Sequence, residues 1–361
     1  MAERDPWFDN AKMALVTLVV VGHALTLLPD TALNEHLYDF VYAWHVPAFV
    51  LVTGYLSRRF DYSRGSLLKL IRTVAVPYLV FETAFALFRI YVGGETLDNL
   101  YADPHWPLWY LSALFFWRLL TPLFARLPGR PWLPVSVAVL VSLISGLWAG
   151  QTLDLARVFG LLPFFVLGLV ATPEHFARLR RPGLRSGAVV VLAAILVLTA
   201  YLDRLASTEW LYYRTRYPDL DVGDERAMVT RAAVLVVGTV GALAFLALVP
   251  RVGGWFSRLG AATLIVYLFH GFVIKGLEYA SYPAWASDAP MLSLVVTVVG
   301  AIGLSLALAA PPVASRLERL VDPIGHAQQP IQEAIELHRA ADETVEPTPE
   351  RDRVGSTQLV G

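Results

Sequence analysis

The chain is 361 residues long, 56% hydrophobic and only 16% charged, where soluble domains run about 45–50% and about 25%. Its formal net charge of −1 provides no field to attract nucleic acid, so no such partner is expected. With no cysteine present, disulfides, thiolate metal sites and cysteine nucleophiles are excluded. Any chemistry must rest on His, carboxylates, hydroxyls and Arg, and no metal site is expected.

The apolar residues gather in blocks of spanning length, about 17–25 residues each. In chain order they cover 11–29, 37–56, 68–92, 107–126, 132–149, 153–171, 186–202, 228–249, 260–279 and 290–312. Met1 to Asn10 is polar, and the run from Ala11 to Leu28 is too long for a signal-peptide core, so it reads as the first span. The expected fold is all-α, a polytopic membrane protein with about ten transmembrane helices.

The connecting loops carry a second pattern, because Lys and Arg concentrate on the cytoplasmic side. Lys12 opens the series, and Pro29 to His36 has neither residue. Arg58, Arg59, Arg64, Lys69 and Arg72 follow, then a basic-free stretch from Gly93 to Trp106. The alternation continues to Arg316 and Arg319, with one mixed loop at about 203–225. It fits ten spans with both termini cytoplasmic; Arg far outnumbers Lys, which hints at a bacterial source, and the expected location is the plasma (inner) membrane. Residues 1–312 form the membrane domain, and 313–361, charged and poor in aromatics, read as a mostly disordered cytoplasmic tail with a short helix near Ile331 to Ala341.

Ionisable residues inside spans are rare and mark function. Four stand out: His23, His45, Glu82 and His270. His23 lies eleven residues outward from Lys12, roughly 16 Å at helical rise. Similar counts put the other three at comparable depth, which predicts one polar cavity. The plainer reading makes each imidazole an interhelical hydrogen bond. Histidine, which titrates near neutral pH, suits a general base. Lys12, Arg58, Arg59, Lys69 and Arg72 form a cytoplasmic set that fits either an anionic, phosphate-bearing donor or lipid headgroups and topology alone. Trp106, Trp109, Tyr110 and Trp117 fit an interfacial belt or a platform for a sugar ring. Tyr267, three residues before His270, shares its face and is placed to donate to the imidazole or to an oxyanion. Asp154 and Arg157 have the spacing of a helical ion pair. The mixed loop around Trp210, Tyr212 and Arg214 is a candidate for acceptor choice. G-x-S-x-G, Walker A, H-E-x-x-H and H-x4-D motifs are all missing.

The stretch DNAKMALVTLVVVGHAL resembles the opening helix of the acyltransferase family 3 membrane proteins, whose signature is a basic residue, ten intervening residues and a histidine, here Lys12 and His23. The family more often has Arg first; Lys resembles the fucose 4-O-acetylase-like branch. AWHVPAFVLVTGYLSRR, with His45, Pro47, Phe49, Thr53, Gly54 and Tyr55, is similar to that branch's second helix, with Thr53 where Ser is commoner. KLIRTVAVPY, WPLWYLSAL, LPFFVLG and VYLFHGF resemble the later motifs in order, the last carrying His270.

The resemblance implies transfer of an acyl group, usually acetyl, from cytoplasmic acetyl-CoA to a hydroxyl of a glycan, lipid-linked sugar or metabolite. Acyl-CoA is then a co-substrate, with no tightly bound cofactor, and membrane lipids are the surroundings. His23 becomes general base or acyl carrier, with Glu82, His45 or His270 orienting it. Lys12 and Arg72, helped by Arg58 and Arg59, hold the coenzyme A phosphates; Trp106, Trp109, Tyr110 and Tyr267 line the acceptor site. Family members often carry a further extracytoplasmic hydrolase-like domain; the tail here reads as too short for one, so transfer is expected to finish in the membrane domain or on a partner. The competing reading is a proton-coupled transporter or flippase; the sequence displays neither an inverted repeat nor an evident broken helix pair, which lowers it.

Overall fold

The computed structural model describes residues 5–97, 99–127, 130, 132–202 and 206–321. Of the expected tail, 313–321 belong to the helix Pro311–Val321, and the rest, with its short helix near Ile331 to Ala341, lies outside the described residues. The chain divides into two units, Met1–Leu317 and Glu318–Gly361. The first is helical throughout, with no strand among the described residues.

Helix α1 (Pro6–Leu25) starts where Asp5 accepts from the Trp7 amide at 3.0 Å and Pro6 fills the first turn. It stops where the Thr26 hydroxyl donates to the His23 carbonyl at 2.7 Å. Helices α2 (Ala32–Tyr42) and α3 (His45–Ser57) form one interrupted span, Ala32–Ser57. Pro47 lacks the N–H that would bond the Ala43 carbonyl, and the helix breaks there. Helix α4 (Arg64–Tyr91) contains a wide turn at Ile71–Ala75, two residues before Pro77. Such a turn absorbs a proline within a helix.

Then come α5 (Trp109–Ala125), α6 (Leu133–Ser145), α7 (Thr152–Gly160), α8 (Leu162–Val170) and α9 (Pro182–Thr199). The series closes with α10 (Asp224–Leu248), α11 (Thr263–Tyr279) and α12 (Pro290–Ala309). Each of the ten apolar blocks is therefore helical. By length and apolarity, six helices among the described residues suffice to cross a membrane, or seven if the bent pair α7–α8 counts as one. The blocks at 107–126, 132–149 and 260–279 give helices of 17, 13 and 17 residues, at or below the lower end of spanning length. The α7–α8 pair bends by 55° just before Pro163, so the chain does hold a broken helix pair, contrary to the sequence expectation. The proline removes a helical donor and crowds the preceding turn.

Helices α1 and α2–α3 are central, with 67% of their apolar windows buried, whereas α9 and α12 are peripheral at 17% and 22%. Outward valines such as Val189, Val190, Val295 and Val299 suit lipid contact. The tightest crossing is α3 on α8. A Cβ on Gly54 would lie 2.0 Å from the Phe165 carbonyl oxygen, and one on Gly168 1.9 Å from that of Leu51. Only glycine admits two backbones this close, the usual device where lipid removes the hydrophobic drive for association. That crossing fixes α3, and α3 carries His45, Phe49 and Thr53 into the site.

Candidate active site

Two cavities lie along α1. The one toward the C-terminal end of α1, called outer for that position, is of about 450 Å³ and is lined by His23 and His45, by Trp106, Trp109 and Tyr110, and by Arg157. The inner, of about 270 Å³, is lined by Lys12, Thr53, Ser57, Thr73 and Arg118. Lys12 and His23 thus face different spaces, eleven residues apart on one helix.

The histidine geometry assigns a donor and an acceptor to each ring. The Val266 carbonyl, one turn back on α11, accepts from His270 Nδ1 at 3.0 Å. A neutral imidazole then has its lone pair on Nε2. His270 Nε2 sits 2.9 Å from His23 Nδ1, so His23 Nδ1 donates. This network assigns the tautomers and leaves the His23 lone pair on Nε2, while His23 itself lines the outer cavity. His270 is fully buried and acts on His23 from behind. His45 repeats the arrangement alone: its Nδ1 donates to the Val41 carbonyl at 2.7 Å, and its ring also lines the outer cavity.

Glu82 does not join this group. Its carboxylate, fully buried, accepts from the His105 amide at 3.1 and 3.2 Å and pairs with His105 Nδ1. The segment so anchored runs straight into Trp106, whose ring centroid stands 4.4 Å from that of His23. Glu82 therefore positions the loop that presents Trp106, rather than touching His23. Tyr267 likewise turns away from both expected partners, donating to the Pro107 carbonyl at 2.7 Å. The expected cavity thus gathers His23 and His45, takes His270 as a support, and leaves Glu82 to a neighbouring clamp.

Of the basic set, only Lys12 lines the inner cavity, held 2.8 Å from Asp9. Arg72 rides on the wide turn of α4 beside Thr73 and Val74, which do line it. Arg58 is exposed and lies over the Tyr55 ring at 3.8 Å; Arg59 is exposed, and neither lines either of these two cavities. A cation absent from the expected set, Arg118, stands midway along α5 on the inner cavity wall. A lone charge inside an apolar run was its signal.

The outer cavity is roofed by the segment 206–222. Tyr217 donates to the Leu143 carbonyl at 2.9 Å and packs on Gly146, where a Cβ would lie 2.2 Å from its ring. Arg231, buried, lies 5.0 Å from the Tyr213 ring and 5.6 Å from the Tyr217 ring. This packing holds Glu209, Tyr212 and Arg214 at the cavity wall. Arg157 bonds Asp154 at 2.8 Å and stands 4.9 Å over the Trp109 ring. Among the described residues, no three His, Asp or Glu side chains gather as a metal site.

The fold and cavities define a multi-pass membrane protein with a histidine-bearing chamber between its helices. The chain belongs to acyltransferase family 3: the family's acyltransferase domain matches residues 5–310. It is similar to the nodulation protein NolL of Sinorhizobium fredii, 28% identical over 186 residues, covering 46% of this chain and 48% of that protein. It is also similar to the nodulation protein NolL of Mesorhizobium japonicum, 25% identical over 317 residues, covering 77% and 79%. The chain spans about half the length of the first of these relatives and about four fifths of the second. No solved structure matches it.

Proposed function

We propose that the protein is a membrane O-acetyltransferase of the bacterial inner membrane, moving an acetyl group from cytoplasmic acetyl-CoA to a hydroxyl of a glycan or similar acceptor. The basic residues at the start of α1 and in the 58–72 loop support a cytoplasmic Lys12 end of α1. Lys12 and Arg118, with Arg72 nearby, suit the phosphates of the donor. A coenzyme A nucleotide is too large for 270 Å³, so it rests at the cavity mouth while the thioester arm extends inward.

The acceptor enters the outer cavity, where aromatic rings and the Arg157 and Glu209 side chains fit the apolar face and hydroxyl edge of a sugar. His23 Nε2 removes the hydroxyl proton, and the oxygen attacks the thioester carbonyl. The new C–O bond forms, the C–S bond breaks, and the departing thiolate takes up the proton. His270 holds the productive tautomer throughout. The observation that carries this reading is the His270–His23 contact, which leaves Nε2 unprotonated on a residue that lines a chamber roomy enough for a sugar. A flippase would use the cavities but has no need of a fixed tautomer.

The test is coenzyme A thiol release from acetyl-CoA by protein in nanodiscs, with and without glycan acceptors. Release that requires both an acceptor and His23 is expected. Full release by folded His23→Ala would overturn the assignment of the base.

A further inference from the structure

The two cavities share three wall residues: Phe49, Tyr110 and Tyr267. On the transferase reading, the donor arm lies on one side of them and His23 on the other, so the acyl group must pass between these rings. Phe49 meets Tyr110 edge-on, centroids 5.1 Å apart at 83°, and Tyr110 meets Tyr267 at 5.8 Å and 61°. Two of the three rings are tethered. The Tyr110 hydroxyl bonds Thr53, and the Tyr267 hydroxyl donates to the Pro107 carbonyl. Phe49 has no polar tether, and its helix is immobilised by the Gly54–Gly168 crossing. A turn of that one side chain is therefore the movement that opens the layer.

We propose that Phe49, Tyr110 and Tyr267 form the sieve that sets the length of the transferred acyl group, with Phe49 as the movable element. An opening one side chain wide, walled by two anchored rings, passes acetyl and rejects long chains. Pockets of this kind discriminate by about tenfold or more per methylene.

Because the chain has no cysteine, a single introduced thiol reports on the passage without any acceptor. Val46 lines the outer cavity and not the inner. The Val46→Cys thiol can displace coenzyme A from a thioester that reaches it, forming one C–S bond as another breaks and releasing the coenzyme A thiol. The full chain in nanodiscs would be incubated with acetyl-, butyryl- or octanoyl-CoA and the reporter followed by intact mass. With Phe49 present, acetylation is expected to exceed octanoylation by about a hundredfold or more. In Phe49→Ala, and more mildly in Phe49→Leu, that ratio is expected to fall about tenfold or more. Two variants guard against misfolding of one, and reaction with N-ethylmaleimide confirms an accessible thiol in each. Equal acetyl and octanoyl labelling, or a ratio indifferent to both Phe49 substitutions, would overturn the sieve and leave the transferase reading standing. A maleimide-reactive reporter that no acyl-CoA modifies in any background would remove the donor path, and both proposals with it.

Discussion

Replacing His270 by Ala tests whether the second histidine acts by orienting the first. In the native arrangement, His23 Nδ1 donates to His270 Nε2 at 2.9 Å, and His270 is itself fixed by the Val266 carbonyl at 3.0 Å. Alanine removes the ring that receives that proton, so His23 is free to rotate and to exchange tautomers. The lost hydrogen bond alone is worth about 1 kcal/mol, somewhat less than tenfold in rate. Removal of an entire acid–base group loses about 10²–10⁴-fold. The variant should fall between these limits, about 10²-fold down in kcat with the donor KM little changed. His270→Gln, whose amide oxygen can still accept, should recover part of the loss. The double variant with His23→Ala should be no worse than His23→Ala alone, since His270 has nothing left to orient. Thiol release at saturating acetyl-CoA reads all four proteins. Multiplicative losses in the double variant, or a His270→Ala rate within about twofold of wild type, well under the value of one hydrogen bond, would refute the reasoning.

Further outcomes follow from other parts of the molecule. Gly168→Ala puts a methyl group 1.9 Å from the Leu51 carbonyl oxygen and should destabilise the fold by about 1–3 kcal/mol, read as a lower thermal midpoint in detergent. Glu82→Ala should release His105 and Trp106 and raise the acceptor KM by about tenfold, with a smaller effect on the donor. Arg118→Ala should raise the KM for acetyl-CoA and leave acceptor binding unchanged, as titrations of each substrate would reveal. Just past the C-terminal end of α4, burial pushes the Glu95 carboxyl up, but Arg89, Tyr279 and Lys275 more than offset this and hold it below its usual 4.5. A lowered folded pKa stabilises above 4.5 and the benefit fades as pH falls through the folded value, so Glu95→Gln should flatten the loss of thermal stability on acidification below about 4.5.

The helices were legible because spanning helices need long apolar runs, and all ten blocks are helical. The breaks were less so. Pro47, Pro77 and Pro163 stand plainly in the sequence, yet whether a proline ends a helix, bends it or is absorbed by a wide turn depends on the packing around it. That His23 and His45 share a cavity wall was legible because burying an ionisable group in an apolar run is costly and marks it as a candidate. The partnership of His270 with His23, across 247 positions, was not, because no spacing rule links residues on different helices. Glu82 misled for the same reason: its depth matched the histidines, but its carboxylate turned toward His105. Arg118 carried the same signal as the histidines, a charge within an apolar run, but the aromatic residues around it on α5 drew the eye to a membrane belt instead.

The central claim is that donor and acceptor approach from opposite faces and meet between the inner and outer cavities. Proteoliposomes with a single orientation, acetyl-CoA on the Lys12 side and glycan acceptor confined to the other, test it directly. The account predicts acetylated acceptor in the compartment opposite the donor, abolished by His23→Ala. Product that forms only when donor and acceptor share a compartment would contradict it.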